Sequence, residues 1–177
     1  MKFLKSDLPG VVEIRLEPQA DERGLFARAW CQQEFERQGL NSRLVQCNIS
    51  YNERQGTLRG MHYQDEPFGE AKVVRCTAGA IYDVAIDLRA QSPTYRRWLG
   101  VVLSAKERNM LYVPEGFAHG FLTLEDHTEI FYQMSEFYHP EVALGVRWDD
   151  PAFQIRWPGK IEVISERDSA YPDFICP

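Results

Sequence analysis

Apolar positions along the chain fall in short blocks, each broken by a turn signal. Val11 to Leu16 (VVEIRL) alternates, and Lys72 to Cys76 is a short run that ends at the hairpin-like break Ala78-Gly79. Ala80 to Leu88 (AIYDVAIDL) follows, and Leu99 to Leu103, Asn109 to Val113, Gly120 to Leu124 and Thr128 to Met134 are further candidate strands. Only Gln32 to Gln38 (QQEFERQ) reads as helix. Many short strands at this spacing predict an all-β sandwich or barrel. Within Ala80 to Leu88 the pleat places Tyr82, Val84, Ile86 and Leu88 on one face and Ile81, Asp83, Ala85 and Asp87 on the other. In most sheets the face with Asp83 and Asp87 meets solvent. In a barrel that holds a ligand it lines the pocket.

The length, 177 residues, suits one domain spanning 1–177 with a sizeable core. The composition, 44% hydrophobic and 26% charged, is that of an ordinary soluble protein. A net charge of -6 argues against broad nucleic-acid binding. It still allows a local cluster of Arg and Lys to hold a small anion. Met1 to Gly10 has two lysines but no apolar stretch of signal-peptide length, and no window approaches a membrane span. A cytoplasmic location without membrane partners is therefore expected. The cysteines Cys31, Cys47, Cys76 and Cys176 form no Cys-x-x-Cys pair and are expected to be free, buried thiols.

The chain has four histidines, and two stand in distinctive settings. His62 lies in Leu58-Arg59-Gly60-Met61-His62-Tyr63-Gln64, and His119 in Val113-Pro114-Glu115-Gly116-Phe117-Ala118-His119-Gly120-Phe121. Either one alone reads more readily as a histidine satisfied by a local hydrogen bond. Pro114-x-Gly116-x-x-His119 looks like the second half of a cupin metal motif. The first half wants two histidines one residue apart, and here Gln64 stands where the second would be. Imidazole and carboxylate are the ligands such metals favour, so no metal is expected.

An ordered set of motifs runs through the chain: Asp21-Glu22-Arg23-Gly24-x-Phe26, Val45-Gln46-Cys47-Asn48-Ile49-Ser50, Gly56 to Gln64, and Ala71-Lys72-Val73-Val74-Arg75. Asp83 to Arg89 with Ser92-Pro93-Thr94, Pro114 to Phe121, Trp148-Asp149-Asp150-Pro151, Trp157-Pro158 and Ser165-Glu166-Arg167-Asp168 complete it. Together these resemble the dTDP-4-dehydrorhamnose 3,5-epimerase family (RmlC-like) over nearly the whole chain. The resemblance implies an all-β double-stranded β-helix, a cupin or jelly-roll barrel, with a few short helices. It implies an isomerase of a nucleoside diphosphate-4-keto-6-deoxyhexose, working without a cofactor. The ketone acidifies the protons on carbons 3 and 5. Epimerisation then needs a base, an acid on the opposite face and a group that stabilises the enolate.

By resemblance His62 is the base, since an imidazole of ordinary pKa near ~6.5 suits proton abstraction at neutral pH. Asp168 is its carboxylate partner, Tyr132 the acid and Lys72 the cation beside the enolate. Arg23, Arg59 and His119 match positions that contact the diphosphate or sugar, and Arg is suited to phosphate by its planar fork. Phe26, Gln46, Asn48 and Tyr138 fall at other substrate-contact positions. The Arg23 segment reaches a neighbouring subunit's site in the family, which implies a homodimer with exchanged N-terminal strands. Arg28, Cys47 and Leu144 depart from the family pattern and leave the nucleobase and details of the substrate open. Single-site 3- or 5-epimerases share the scaffold. A metal-dependent cupin enzyme and a non-catalytic sugar-binding protein are the readings from other classes.

Overall fold

A computed structural model describes residues 1–175. In chain order its elements are β1 (Lys2–Lys5), β2 (Val12–Arg15), β3 (Gln19–Asp21), β4 (Gly24–Phe26), α1 (Gln32–Arg37), β5 (Gln46–Asn52), β6 (Thr57–Gln64), β7 (Lys72–Ala78), β8 (Ala80–Asp87), β9 (Trp98–Ser104), β10 (Met110–Val113), β11 (Phe117–Thr123), β12 (Thr128–Met134), β13 (Ala143–Gly145), β14 (Val163–Ile164) and α2 (Glu166–Ser169). Two sheets form the body, with strand orders β1-β2-β10-β7-β12-β5 and β13-β6-β11-β8-β9. β14 adds to β6 in parallel, and β3 and β4 make a separate hairpin. The architecture is all-β, as the spacing of apolar blocks predicts.

The pleat explains the core. On β10, Leu111 and Val113 face inward while Met110 and Tyr112 face outward. The inward set meets Val74, Cys76, Ile130, Ile81, Ala85, Leu103, Phe117 and Phe121, so both sheets contribute to one core. Outside the first sheet, α1 supplies Phe35, which is fully buried against Ile14, Val73 and Tyr112. Burying a side chain of that size stabilises by roughly 1.5–3 kcal/mol. Outside the second sheet, Val146, Phe153, Trp157 and Phe174 from the C-terminal segment cover Met61, Val84, Ile86 and Ala118.

Both faces of β8 are therefore buried, which corrects the solvent-facing reading of its aspartates. Asp83 and Asp87 are 0% exposed. Asp87 accepts bonds from Arg89, Ser92 and Thr94, at 2.8, 2.6 and 2.6 Å on Oδ2. The thiols also differ from expectation. Cys76 is buried, Cys31 is half-buried and Cys47 is exposed, because its position on β5 points out of the barrel. All three are free, and Cys176 lies outside the described residues.

Candidate active site

A cavity of about 550 Å³ opens between the sheets, beside the apolar core. Its floor on the first sheet follows the period of two. Gln46, Asn48 and Ser50 of β5 pair with Met134, Tyr132 and Ile130 of β12, and Lys72 and Val74 of β7 pair with Met134 and Tyr132 in turn. All eight line the cavity. Every second residue on three neighbouring strands thus faces the same space.

The facing wall needs an exception to that period. Arg59 and His62 are three residues apart on β6, a spacing that normally puts side chains on opposite faces. Here β11 pairs His119 with His62 and Phe121 with Arg59, so β6 carries one extra residue between them. This bulge turns both Arg59 and His62 to the cavity. Glycines make it possible. Gly60 has φ 129°, and a Cβ on it would stand 2.5 Å from Gly120 Cα. The strands approach too closely there for any side chain.

Behind this wall, α2 presents Asp168. Ser165 caps the helix, its hydroxyl accepting from the Asp168 N–H at 3.1 Å. Asp168 Oδ1 lies 2.7 Å from His62 Nε2, and Oδ2 accepts the Gly60 N–H at 3.1 Å. Burial alone would push the Asp168 pKa up. The His62 bond and charge, with the Gly60 and Ser165 contacts, outweigh it and hold the pKa below its ordinary value. At neutral pH the carboxylate is thus ionised and can only accept, which places a proton on His62 Nε2. Nδ1 then carries the lone pair, on a side chain that lines the cavity and is 41% exposed.

A second pair stands alongside, His119 Nε2 to Asp83 Oδ1 at 2.7 Å. Across the cavity, burial raises the Tyr132 pKa above its ordinary value. The Glu70 charge adds to this, while Arg59 and a bond with Asn48 oppose it. Arg59 is held by Asn52 Oδ1, which accepts from Nε at 2.7 Å, and by Tyr51 O, which accepts from Nη2 at 3.3 Å. Lys72 is paired with Glu70 at 2.6 Å.

Of the residues expected at the site, His62, Lys72, Tyr132, Gln46, Asn48, Arg59, His119 and Tyr138 line one cavity, with Asp168 behind His62. Arg23 and Phe26 do not join them. They stand on the β3–β4 hairpin, where Phe26 is 75% exposed and Arg23 pairs with Asp21. Arg28 pairs with Glu34 on the surface, and Leu144 lines the cavity. Sequence reasoning missed Glu70, Asp83 as the partner of His119, and Arg167. The acidic residue two before Lys72 was a usable signal for Glu70. The pairing of Asp83 with His119 depends on strand register and had none. Gln64 is no ligand stand-in: it donates to Phe68 O and Phe137 O and accepts the His139 N–H, tying two loops at the cavity mouth. Among the described residues no group of three or more His, Cys, Asp or Glu is placed to hold a metal ion.

A sequence model described as dTDP-4-dehydrorhamnose 3,5-epimerase matches residues 5–175. The dTDP-4-dehydrorhamnose 3,5-epimerase of Shigella flexneri is 40% identical over 176 residues, covering 99% of this chain and 97% of that protein. The crystal structure of the Elizabethkingia anophelis enzyme of that name superposes with a TM-score of 0.95 at 37% identity, covering 98% of this chain and 96% of its own. The Bacillus anthracis enzyme of that name, with TDP and PPi bound, gives 0.94 at 36% identity, covering 98% of this chain and 99% of its own. The two-sheet barrel is accordingly the cupin-like jelly roll of these structures.

Proposed function

The chain belongs to the dTDP-4-dehydrorhamnose 3,5-epimerase family, and from that premise we propose that it converts dTDP-4-dehydro-6-deoxy-D-glucose to dTDP-4-dehydro-L-rhamnose. One observation carries the reading beyond family membership: an imidazole oriented by a buried carboxylate lines one wall of a cavity whose other wall carries a protonated phenol.

His62 Nδ1 takes the proton from carbon 5 or carbon 3, and the imidazolium is stabilised by ionised Asp168. The electron pair moves onto the 4-oxygen, where the Lys72 ammonium stabilises the enolate. Tyr132 delivers its hydroxyl proton to the opposite face of the same carbon. Its raised pKa keeps the phenol protonated for this task. His62 then gives its proton to solvent and Tyr132 regains one. No step exchanges electrons with a redox partner, so no cofactor is needed. Arg59, with its guanidinium anchored on Asn52 and Tyr51, holds the diphosphate. His119, Gln46, Asn48 and Tyr138 hold the rest of the substrate. The TDP bound by the Bacillus anthracis relative supports a thymidine nucleotide.

Arg23 and Phe26 belong to the site of a second subunit in this reading. All six strand residues of the β3–β4 hairpin are exposed, and the hairpin pairs with neither main sheet. An exposed Phe beside an Arg suits insertion into a partner's cavity, which makes the chain a homodimer with exchanged N-terminal strands. One RmlC-like cupin domain, residues 1–177, makes each subunit. No helix among the described residues is long and apolar enough to cross a membrane. A cytoplasmic location suits a substrate made in that compartment.

The test is His62→Ala. It should bind TDP within about threefold of wild type, because Arg59 and the walls are intact, yet exchange no sugar proton. Retention of substantial exchange would remove His62 from the base role.

A further inference from the structure

Glu70 and Lys72 form an ion pair on the cavity wall with Oε1 and Nζ 2.6 Å apart, their side chains 6% and 9% exposed. Such a pair is a poor source of stability, because burying two charges costs about what their attraction returns. Its second oxygen, Glu70 Oε2, is buried with no hydrogen-bond partner among the described residues. No other cation there pairs with Glu70. The carboxylate is thus committed to one ammonium, at the cost of an unfilled acceptor.

We propose that Glu70 is a positioning residue: it fixes the Lys72 ammonium in the cavity, aimed at the reacting oxygen of the substrate. Lysine has four rotatable carbons in its stem and a point charge at its tip. Left alone, it would need to be ordered at each turnover. A tether at 2.6 Å orders it beforehand, which is how preorganised charge lowers a barrier. The inference deepens the epimerase reading and rests on it.

The test compares wild type with Glu70→Ala, Glu70→Gln, Lys72→Ala and the double variant E70A/K72A. Each is checked for folding by its melting curve, and exchange of sugar protons from dTDP-4-keto-6-deoxyglucose is followed in heavy water. Glu70→Ala should lower kcat about tenfold or more with KM within about threefold, as expected when a buried charge loses its only ion-pair partner among the described residues. Glu70→Gln should recover part of the loss, because its amide oxygen still turns a partial negative charge toward the ammonium. E70A/K72A should be no slower than Lys72→Ala, since Glu70 acts through Lys72. Glu70→Ala within twofold of wild type, or losses that multiply in the double variant, would overturn the assignment. Failure of wild type to exchange would count against the epimerase reading alone. A crystal structure of Glu70→Ala then decides the tether without any substrate: a displaced Lys72 Nζ supports it, and an unmoved one overturns it.

Discussion

Asp168→Asn exchanges one oxygen for an NH2 group with almost no change in shape, and the structure says which way it turns. The Gly60 N–H is buried and needs an acceptor, so the remaining amide oxygen stays on it. The new NH2 then points at His62 Nε2 from the place of Oδ1, 2.7 Å away in the parent. A donor facing Nε2 requires a lone pair there, so the imidazole proton moves to Nδ1 and the lone pair of the proposed base is lost. Two effects combine. The charge-assisted bond to the forming imidazolium is removed, worth about 1.5–3 kcal/mol, and the tautomer is wrong. In a Ser-His-Asp triad the same exchange lowers kcat by about 10⁴. His62 is 41% exposed, which lets water moderate the loss. The expected fall in kcat is therefore about 10²–10³, or roughly 3–4 kcal/mol. KM should stay within about threefold, because Asp168 stands behind His62 and not on the cavity surface. Stability should drop by only about 1 kcal/mol, a fall of about 2–4 °C in Tm. Solvent-proton exchange kinetics and a melting curve on the same sample check both. A variant with more than a tenth of wild-type kcat, or a loss carried by KM, would refute the orientation argument.

Tyr132→Phe should still lose substrate protons to His62 but deliver them to the opposite face about 10²-fold more slowly or worse, read as label uptake without inversion. Gly60→Ala should destabilise by about 3 kcal/mol or more and abolish activity, since a Cβ at φ 129° would meet Gly120 Cα at 2.5 Å; denaturant melts measure this. For Asp87, burial raises the pKa, but bonds from Arg89, Ser92 and Thr94 bring it down to about 2. Its folded pKa lies below its unfolded one, so the stabilisation is present above pH ~4 and is lost as pH falls toward ~2. The loss is about 2 kcal/mol across that window, and Asp87→Asn should remove this acid dependence in pH-resolved melts.

Strands rich in apolar residues were legible in the sequence, including β7 and β12 on the cavity floor, whereas β5 and β6, which turn mainly polar residues to the cavity, were not. β8 and β12 match the alternating blocks closely, and α1 ends one residue short of the expected Gln38. β5 reverses the usual pattern, because its inward residues Gln46, Asn48 and Ser50 are polar and its outward Ile49 and Tyr51 are exposed. β6 breaks the alternation with its bulge at Gly60, so pattern reading finds a motif but no strand. β11 begins at Phe117, earlier than the apolar run suggests, because His119 faces the cavity. The same polarity that hides these strands marks the site. Individual histidines and acids carried little signal by themselves, and the ordered motifs carried nearly all of it. Asp168 is the clearest case: 106 residues separate it from His62, and only the closing of the C-terminal segment over the second sheet joins them.

In the proposed reaction this cavity moves protons at carbons 3 and 5 of a thymidine-linked 4-keto sugar. The most direct measurement incubates the protein with dTDP-4-keto-6-deoxyglucose in heavy water and follows the sugar by NMR and mass spectrometry. Deuterium at both carbons, with inversion at each, is the predicted result. Label at carbon 3 or carbon 5 alone would rule out double epimerisation, and no label at either would rule out the proposed epimerase activity.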